Sequence, residues 1–250
     1  MKMEFTLKSY ETMIKKIYKN GYEFAYYKGY EKYKKAVILR HDIDVDVKKA
    51  VEMAKLEKSL GVSSTYYVLL TSDFYNLFSK KNEERLNVIL DLGHHIGLHF
   101  DEVRYGENCN VVEKIEEELE VLEEYLGRTI DTVSMHRPSK KTLDENYKIR
   151  NGETINSYST EFFKGFKYIS DSRKNWGGGE GKEDLFEIIE NGTYHRLHIL
   201  THPIWYDVEE ISLRSSLERF IKEAKVERWN SLNENVRDMG KVLTLSEIYE

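Results

Sequence analysis

The sequence predicts an α/β fold: a single-domain, distorted (β/α) barrel of about seven parallel strands. Two observations predict it. Short apolar runs rich in β-branched residues alternate with helical segments through the first half of the chain, the pattern of parallel pairing through right-handed crossovers. Five of those runs end in ionisable residues, and parallel barrels gather their chemistry at the C-terminal ends of the strands. A doubly wound open sheet is the alternative. No Gly-x-Gly-x-x-Gly follows the first apolar run, so a dinucleotide site is unsupported.

The elements follow in order. Residues 7–20 read as a polar-faced helix, part of a helical lead-in over residues 1–35. AVILR (36–40) is a buried strand and 47–60 a helix with Val47, Val51 and Ala54 on one face. STYYVLL (64–70) is the second strand, and NEERLNVILDLG (82–93) a helix that stops at Gly93. HIGLHF (95–100) is the third strand. VVEKIEEELEVLEEYLG (111–127) is an amphipathic helix with Ile115, Leu119, Leu122 and Leu126 along its apolar stripe. TVSMH (132–136) is the fourth strand, and 140–160 a polar, weakly patterned excursion. FKYIS (166–170), LFEII (185–189) and HRLHILTH (195–202) are read as further strands. GGGEGK (177–182) lacks the spacing of a phosphate-binding loop and is read as a plain loop. The barrel spans 36–205. A helical part covers 206–250, with a helix at 208–228 and a short strand or turn near KVLTL (241–245).

The composition narrows the function classes. A net charge of −6 leaves no basic footprint for nucleic acid. The single cysteine, Cys109, excludes an intrachain disulfide and any thiolate cluster, so a metal would need His, Asp and Glu ligands. No apolar run approaches ~20 residues, which predicts no membrane span. The first residues lack the apolar core of a signal peptide, so a cytoplasmic location is expected. The eighteen tyrosines suit sugar stacking but read foremost as half-buried packing.

The strand ends carry the chemistry. They are Arg40-His41-Asp42-Ile43-Asp44, His99-Phe100-Asp101, His136-Arg137-Pro138, Ser170-Asp171-Ser172-Arg173 and Thr201-His202-Pro203. Ionisable groups at one predicted rim are costly to bury unpaired, so together they point to a shared polar site. Two carboxylates two residues apart, Asp42 and Asp44, share one side of an extended segment. One can bind a metal while the other takes a proton from water, and histidines of neighbouring strands can complete a three-ligand site. The chemistry these residues suit is metal-assisted hydrolysis. His95 and His99 have the spacing of a helical ligand pair, yet four residues along a strand span about 13 Å. Both therefore cannot reach one ion at about 2.1 Å.

These strand ends, in this order, resemble the polysaccharide deacetylase family (NodB-like, carbohydrate esterase family 4), in the divergent branch with a His-Asp-x-Asp first motif. RHDID (40–44) is similar to the paired-aspartate motif, LGHHIGLH (92–99) to the first histidine segment, HRP (136–138) to the arginine-proline motif, SDSRKNW (170–176) to the aspartate-tryptophan motif and HILTHP (198–203) to the final histidine motif. The resemblance covers most of residues 36–205. It implies a divalent metal, usually zinc, with Asp44 and His99 as ligands and Asp42 as general base. It implies His202 as general acid oriented by Asp171, Arg137 steering the base and Trp176 walling the sugar groove. The position of the family's second histidine ligand is occupied by Val103. Three readings stay open there: His136 replaces that ligand, Asp101 does, or the metal is held weakly or not at all. His94 and His95 read as structural, and His41, His195 and His198 as supporting or outward-facing.

The activity expected from the resemblance is removal of an acetyl group from an N-acetylated sugar. With the cytoplasmic expectation, a nucleotide- or lipid-linked sugar of surface polysaccharide synthesis is the expected partner. A metal-free hydrolase of another C–N bond and a non-catalytic glycan-binding barrel are the alternatives. Val103 favours the binding barrel. The joint presence of Asp42, Asp44, Asp171 and His202 speaks against it, because a binding module needs no acid and base.

Overall fold

The computed structural model describes residues 2–106, 108–176 and 184–249, so the loop read at 177–182 lies outside the described residues. The chain forms two compact units, Met1–Val208 and Glu209–Glu250. In the first unit the strands are β1 (Glu23–Phe24), β2 (Ala36–Ile43), β3 (Thr65–Val68), β4 (His95–Asp101), β5 (Thr132–His136), β6 (Ile155–Asn156), β7 (Lys167–Ser170) and β8 (Arg196–Thr201). Its helices are α1 (Leu7–Lys19), α2 (Val47–Ser59), α3 (Lys80–Asp91), α4 (Val111–Leu126), α5 (Lys140–Asp144), α6 (Thr160–Lys164) and α7 (Leu185–Asn191). The second unit holds α8 (Leu213–Asn235), α9 (Met239–Val242) and α10 (Leu245–Tyr249). Within it, the Trp229 indole donates to the Leu243 carbonyl (3.0 Å). The expected strand or turn at 241–245 is the break between α9 and α10. No helix among the described residues is long and apolar enough to cross a membrane.

The sheet order is β6-β5-β4-β3-β2-β8-β7, with β1 added against β2, and every ladder is parallel. Read around the sheet, the strands follow the chain in one direction and the last strand closes onto β2. A doubly wound sheet reverses direction at a switch point, and this one does not. It is a curled, incomplete (β/α) barrel, as the alternation predicted. Among the described residues no ladder joins β6 to β7. Aromatic rings bridge that seam instead: Phe163 lies 5.0 Å from Tyr168 and 5.3 Å from Tyr158.

Most helix boundaries follow local signals. Ser79, Asn110 and Asp184 cap α3, α4 and α7 through their side chains. Gly127 ends α4 at φ 62°, the left-handed region glycine enters without a Cβ clash. Three elements differ from the sequence reading. LFEII is not a strand but the core of α7. Asp184 caps its start, Gly192 its end, and Leu185, Phe186, Ile188 and Ile189 are all buried. A short apolar run buried on several faces looks alike as strand or helix. The excursion at 140–160 contains α5, β6 and the start of α6. β2 runs three residues beyond AVILR, through His41, Asp42 and Ile43, and is buried throughout.

That extension is sustained by partners on both faces. Outside the barrel, His41 Nε2 donates to Glu57 Oε1 (2.9 Å). The same carboxylate accepts from the hydroxyls of Tyr10 (2.6 Å), Ser64 (2.7 Å) and Tyr66 (2.7 Å). Four donors, two per oxygen, satisfy a fully buried carboxylate. They tie α1, α2, β2 and β3 together. His94 joins at one remove. Its Nε2 donates to the Ala54 carbonyl (3.0 Å) and its Nδ1 accepts from the Ser64 backbone N–H (3.3 Å). Burial alone would raise the Glu57 pKa, but His41, His94 and Tyr10 outweigh it and hold it at about 2.

Inside the barrel, Gly97 lets β4 approach the Tyr67 ring. A Cβ there would fall 2.4 Å from that ring and 2.6 Å from Thr132 Oγ1. Gly97→Ala is expected to cost about 1–3 kcal/mol through overpacking, read as a lower urea midpoint with unchanged slope. For Glu57 the folded pKa lies below the unfolded one. Its contribution is therefore present above pH ~4.5 and lost as the pH falls toward ~2. Glu57→Gln is expected to lose about 3 kcal/mol at neutral pH, and urea melts should show the gap to the parent chain narrowing below pH ~4.5.

Candidate active site

The pleat of β2 sets the site. Alternate residues of a strand face opposite sides. Arg40 and Asp42 face the interior, and Asp44 follows them at the rim. Arg40 is fully buried. Its Nη2 donates to Asp42 Oδ2 (2.8 Å) and its Nη1 to Ser157 Oγ (2.7 Å), while its guanidinium lies over the rings of Tyr67 and Tyr158. A buried carboxylate with a bonded guanidinium beside it keeps its charge at tolerable cost. Beneath the pair, Tyr27 and Tyr168 surround His198, whose pKa burial and Arg40 lower to about 3.

Across the barrel, β4 and β5 pair so that His99 lies beside Ser134 and Asp101 beside His136. His99 and His136 both point inward toward Asp44. Asp44 Oδ1 lies 3.1 Å from His99 Nε2 and 3.4 Å from His136 Nδ1, and the two nitrogens are 3.2 Å apart. Tetrahedral ligands held about 2.1 Å from one zinc ion lie roughly 3.4 Å from each other, so the triangle matches that geometry. His99 Nδ1 donates to the Ser134 carbonyl (3.4 Å), which leaves the Nε2 lone pair facing the triangle. Asp44 Oδ1 is buried and makes no hydrogen bond among the described residues. The donor set fits a divalent metal.

Two further groups flank the triangle. Asp42 Oδ2 lies 3.6 Å from His99 Nε2. On another side, His202 Nε2 lies 3.7 Å from Asp44 Oδ2. His202 is gripped from behind by the fully buried Asp171. That carboxylate accepts from His202 Nδ1 (2.5 Å), from the His202 backbone N–H (3.1 Å) and from the Tyr206 hydroxyl (3.1 Å). Burial works to lower the His202 pKa, but Asp171 overrides it and raises it to about 9.

Six of the eight residues singled out from the sequence therefore meet in one place: Asp42, Asp44, His99, His136, Asp171 and His202. Two do not. The Arg137 side chain is 60% exposed and pairs with Asp101 rather than Asp42. The place beside Asp42 belongs to Arg40. Its signal was legible as a cation two positions before a carboxylate on the same strand face. Trp176 is 6% exposed and stacks on Phe5 within the apolar cluster outside the barrel. It offers no open ring face to a ligand. Asp101 accepts from the Val103 N–H (3.3 Å) and lies outside the triangle. Val103 is 61% exposed and lines a cavity of about 560 Å³ between the loops after β4 and β5. His95 lies at the far end of β4, stacked on Tyr26 at 4.0 Å.

No family model matches the chain, and no curated protein matches it. Solved structures do. The chain is similar to the deacetylase PplD of Streptococcus pyogenes, at 12% identity and TM-score 0.45, covering 85% of each chain. It is similar to the chitin deacetylase of Colletotrichum lindemuthianum, at 14% identity and TM-score 0.41, covering 75% of this chain and 81% of that one. It is also similar to a carbohydrate esterase family 4 pseudoenzyme of Bacillus anthracis, at 13% identity and TM-score 0.42, covering 78% of this chain and 62% of that one. The chain thus spans less than two thirds of the pseudoenzyme's length. Both deacetylases and a pseudoenzyme stand among these structures, at identities and scores that carry no functional inference. The reading of the site rests on its own geometry.

Proposed function

We propose that the chain is a metal-dependent hydrolase that removes the acetyl group from an N-acetylated sugar. The observation that supports it most is the convergence of three donor atoms flanked by a carboxylate on one side and a carboxylate-oriented imidazole on another. Asp44, His99 and His136 would hold the metal, and a nitrogen-rich set with one carboxylate suits zinc. When bound, zinc supplies Lewis acidity to a water and to the amide carbonyl. Asp42 is the general base: it takes the proton from that water as the C–O bond forms. Arg40 keeps Asp42 in place with a bond to Oδ2, the role that sequence resemblance implied for Arg137. His202 is the general acid. Asp171 raises its pKa and so favours the protonated ring, which delivers a proton from Nε2 to the amine nitrogen as the C–N bond breaks. Asp171 fixes the ring so that Nδ1–H stays engaged and Nε2 faces the site. The products are acetate and a free amino sugar.

Two experiments test this. The chain loaded with zinc and desalted is expected to keep about one ion per molecule by elemental analysis. His136→Ala and His99→Ala should each weaken zinc binding at least about 100-fold, while Asp101→Ala leaves it unchanged. Full zinc retention by His136→Ala would remove it from the ligand set. Asp42→Asn is expected to lower acetate release by about 10²- to 10⁴-fold with zinc content intact. Parallel loss of zinc and turnover would make Asp42 a ligand rather than the base.

A further inference from the structure

Asp44 brings the one carboxylate of the candidate metal triangle, yet it stands just past the end of its strand. The β2–β3 ladder stops at the pair Ile43 and Val68, and the β2–β8 ladder at the pair His41 and Thr201. The loop after β3 reaches the Asp44 segment from the side and bonds to it twice. The Tyr75 hydroxyl donates to the Ile43 carbonyl (2.7 Å) and accepts from the Leu69 N–H (2.9 Å). One hydroxyl thus joins the ends of β2 and β3. The Ser72 hydroxyl donates to the Asp44 carbonyl (3.4 Å) and accepts from the Phe74 N–H (3.1 Å). The Tyr75 ring packs against the apolar cluster that contains Ile43, Val68 and Leu77, which fixes where its hydroxyl lies. Further along the same loop, the Tyr125 hydroxyl of α4 donates to the Leu77 carbonyl (3.0 Å) and ties down the far end.

The two carbonyls that Tyr75 and Ser72 hold belong to the two peptide groups on either side of the Asp44 Cα. A peptide group is planar, so fixing the direction of its carbonyl fixes the whole plane. With both planes fixed, the φ and ψ of Asp44 are set, and with them the direction of its Cα–Cβ bond. A metal site gains affinity when its ligands already stand where the ion needs them, because less ordering entropy is spent on binding. We propose that Tyr75 and Ser72 are positioning residues: together they clamp the Asp44 backbone and hold its carboxylate toward His99 and His136. The clamp rests on the metal-holding part of the proposed function and deepens it. It assigns the placement of a ligand to a loop that brings no ligand of its own.

The test uses the full chain. Zinc affinity is measured by competition with a chelating dye, and the visible absorption of the cobalt(II)-loaded chain reads the geometry of the ligands. Tyr75→Phe keeps the ring and removes only the hydroxyl. It is expected to weaken zinc binding about tenfold and to shift the cobalt(II) absorption. Ser72→Ala is expected to weaken zinc about threefold, the longer bond being the weaker one. Ser72→Thr keeps a hydroxyl and should hold zinc as the parent does. Tyr125→Phe loosens the far end of the same loop but leaves both Asp44 peptides bonded, so zinc affinity and cobalt(II) absorption should stay at the parent values. Zinc affinity of Tyr75→Phe within twofold of the parent, or an equal loss in Tyr125→Phe, would overturn the clamp and leave the metal site standing. No zinc binding by the parent chain would sink the metal site and the clamp with it. Zinc binding that depends on Tyr75 in a chain that releases no acetate would support the clamp and sink only the deacetylase reading.

Discussion

The barrel depends on one buried carboxylate. Glu57 has no access to water, so its charge survives only because both oxygens are fully engaged by Tyr10, His41, Ser64 and Tyr66. Those donors come from α1, β2 and β3, and the carboxylate itself from α2. The network therefore holds the strand that bears the site from behind, one residue from Asp42. Removing any one donor would leave an unmet acceptor in a dry place, which couples packing of the outer helices to the position of the inner carboxylates.

The opposite face of the same strand uses the converse device. Parallel barrels usually fill their interior with branched aliphatic side chains. Here the interior beneath the rim holds Arg40, Tyr67, Tyr168 and His198, with Ser134 and Thr132 on the facing strand. Several of these polar atoms, including Asp42 Oδ1 and Ser134 Oγ, have no hydrogen-bond partner among the described residues. Such an interior gives up apolar burial energy. In exchange it holds the Asp42 side chain by a bond from Arg40 and fixes its orientation. Among the described residues no ladder joins β6 to β7, and Ser157 and Tyr158, just past β6, reach Arg40 of β2 across the barrel interior.

The triangle of Asp44, His99 and His136 shows how little the position of a ligand along the chain matters beside strand register. A family-like site would take its second histidine four residues after the first. In this chain that residue is Val103, which has left the strand in a short 3-10 turn and faces solvent. His136 occupies the space because β5 pairs with β4 in a register that brings its last inward residue level with the rim. In the proposed reading, a nitrogen donor from the adjacent strand takes the place of one from the same loop.

By itself the sequence determined the parallel α/β class, the order of most elements and six residues that meet at the site. Each was legible because its cause is local: apolar periodicity, caps, and ionisable residues at the ends of strands where a core could not accept them unpaired. It misled at LFEII, read as a strand where the chain forms α7, since a short run buried on several faces has no period to read. Only the tertiary structure decided that Arg40 rather than Arg137 lies against Asp42, that Trp176 belongs to the core, and that Glu57 anchors β2. Those outcomes depend on which strands become neighbours and in what register. Hydrogen bonds between residues far apart in the chain set that register, and no local pattern encodes it.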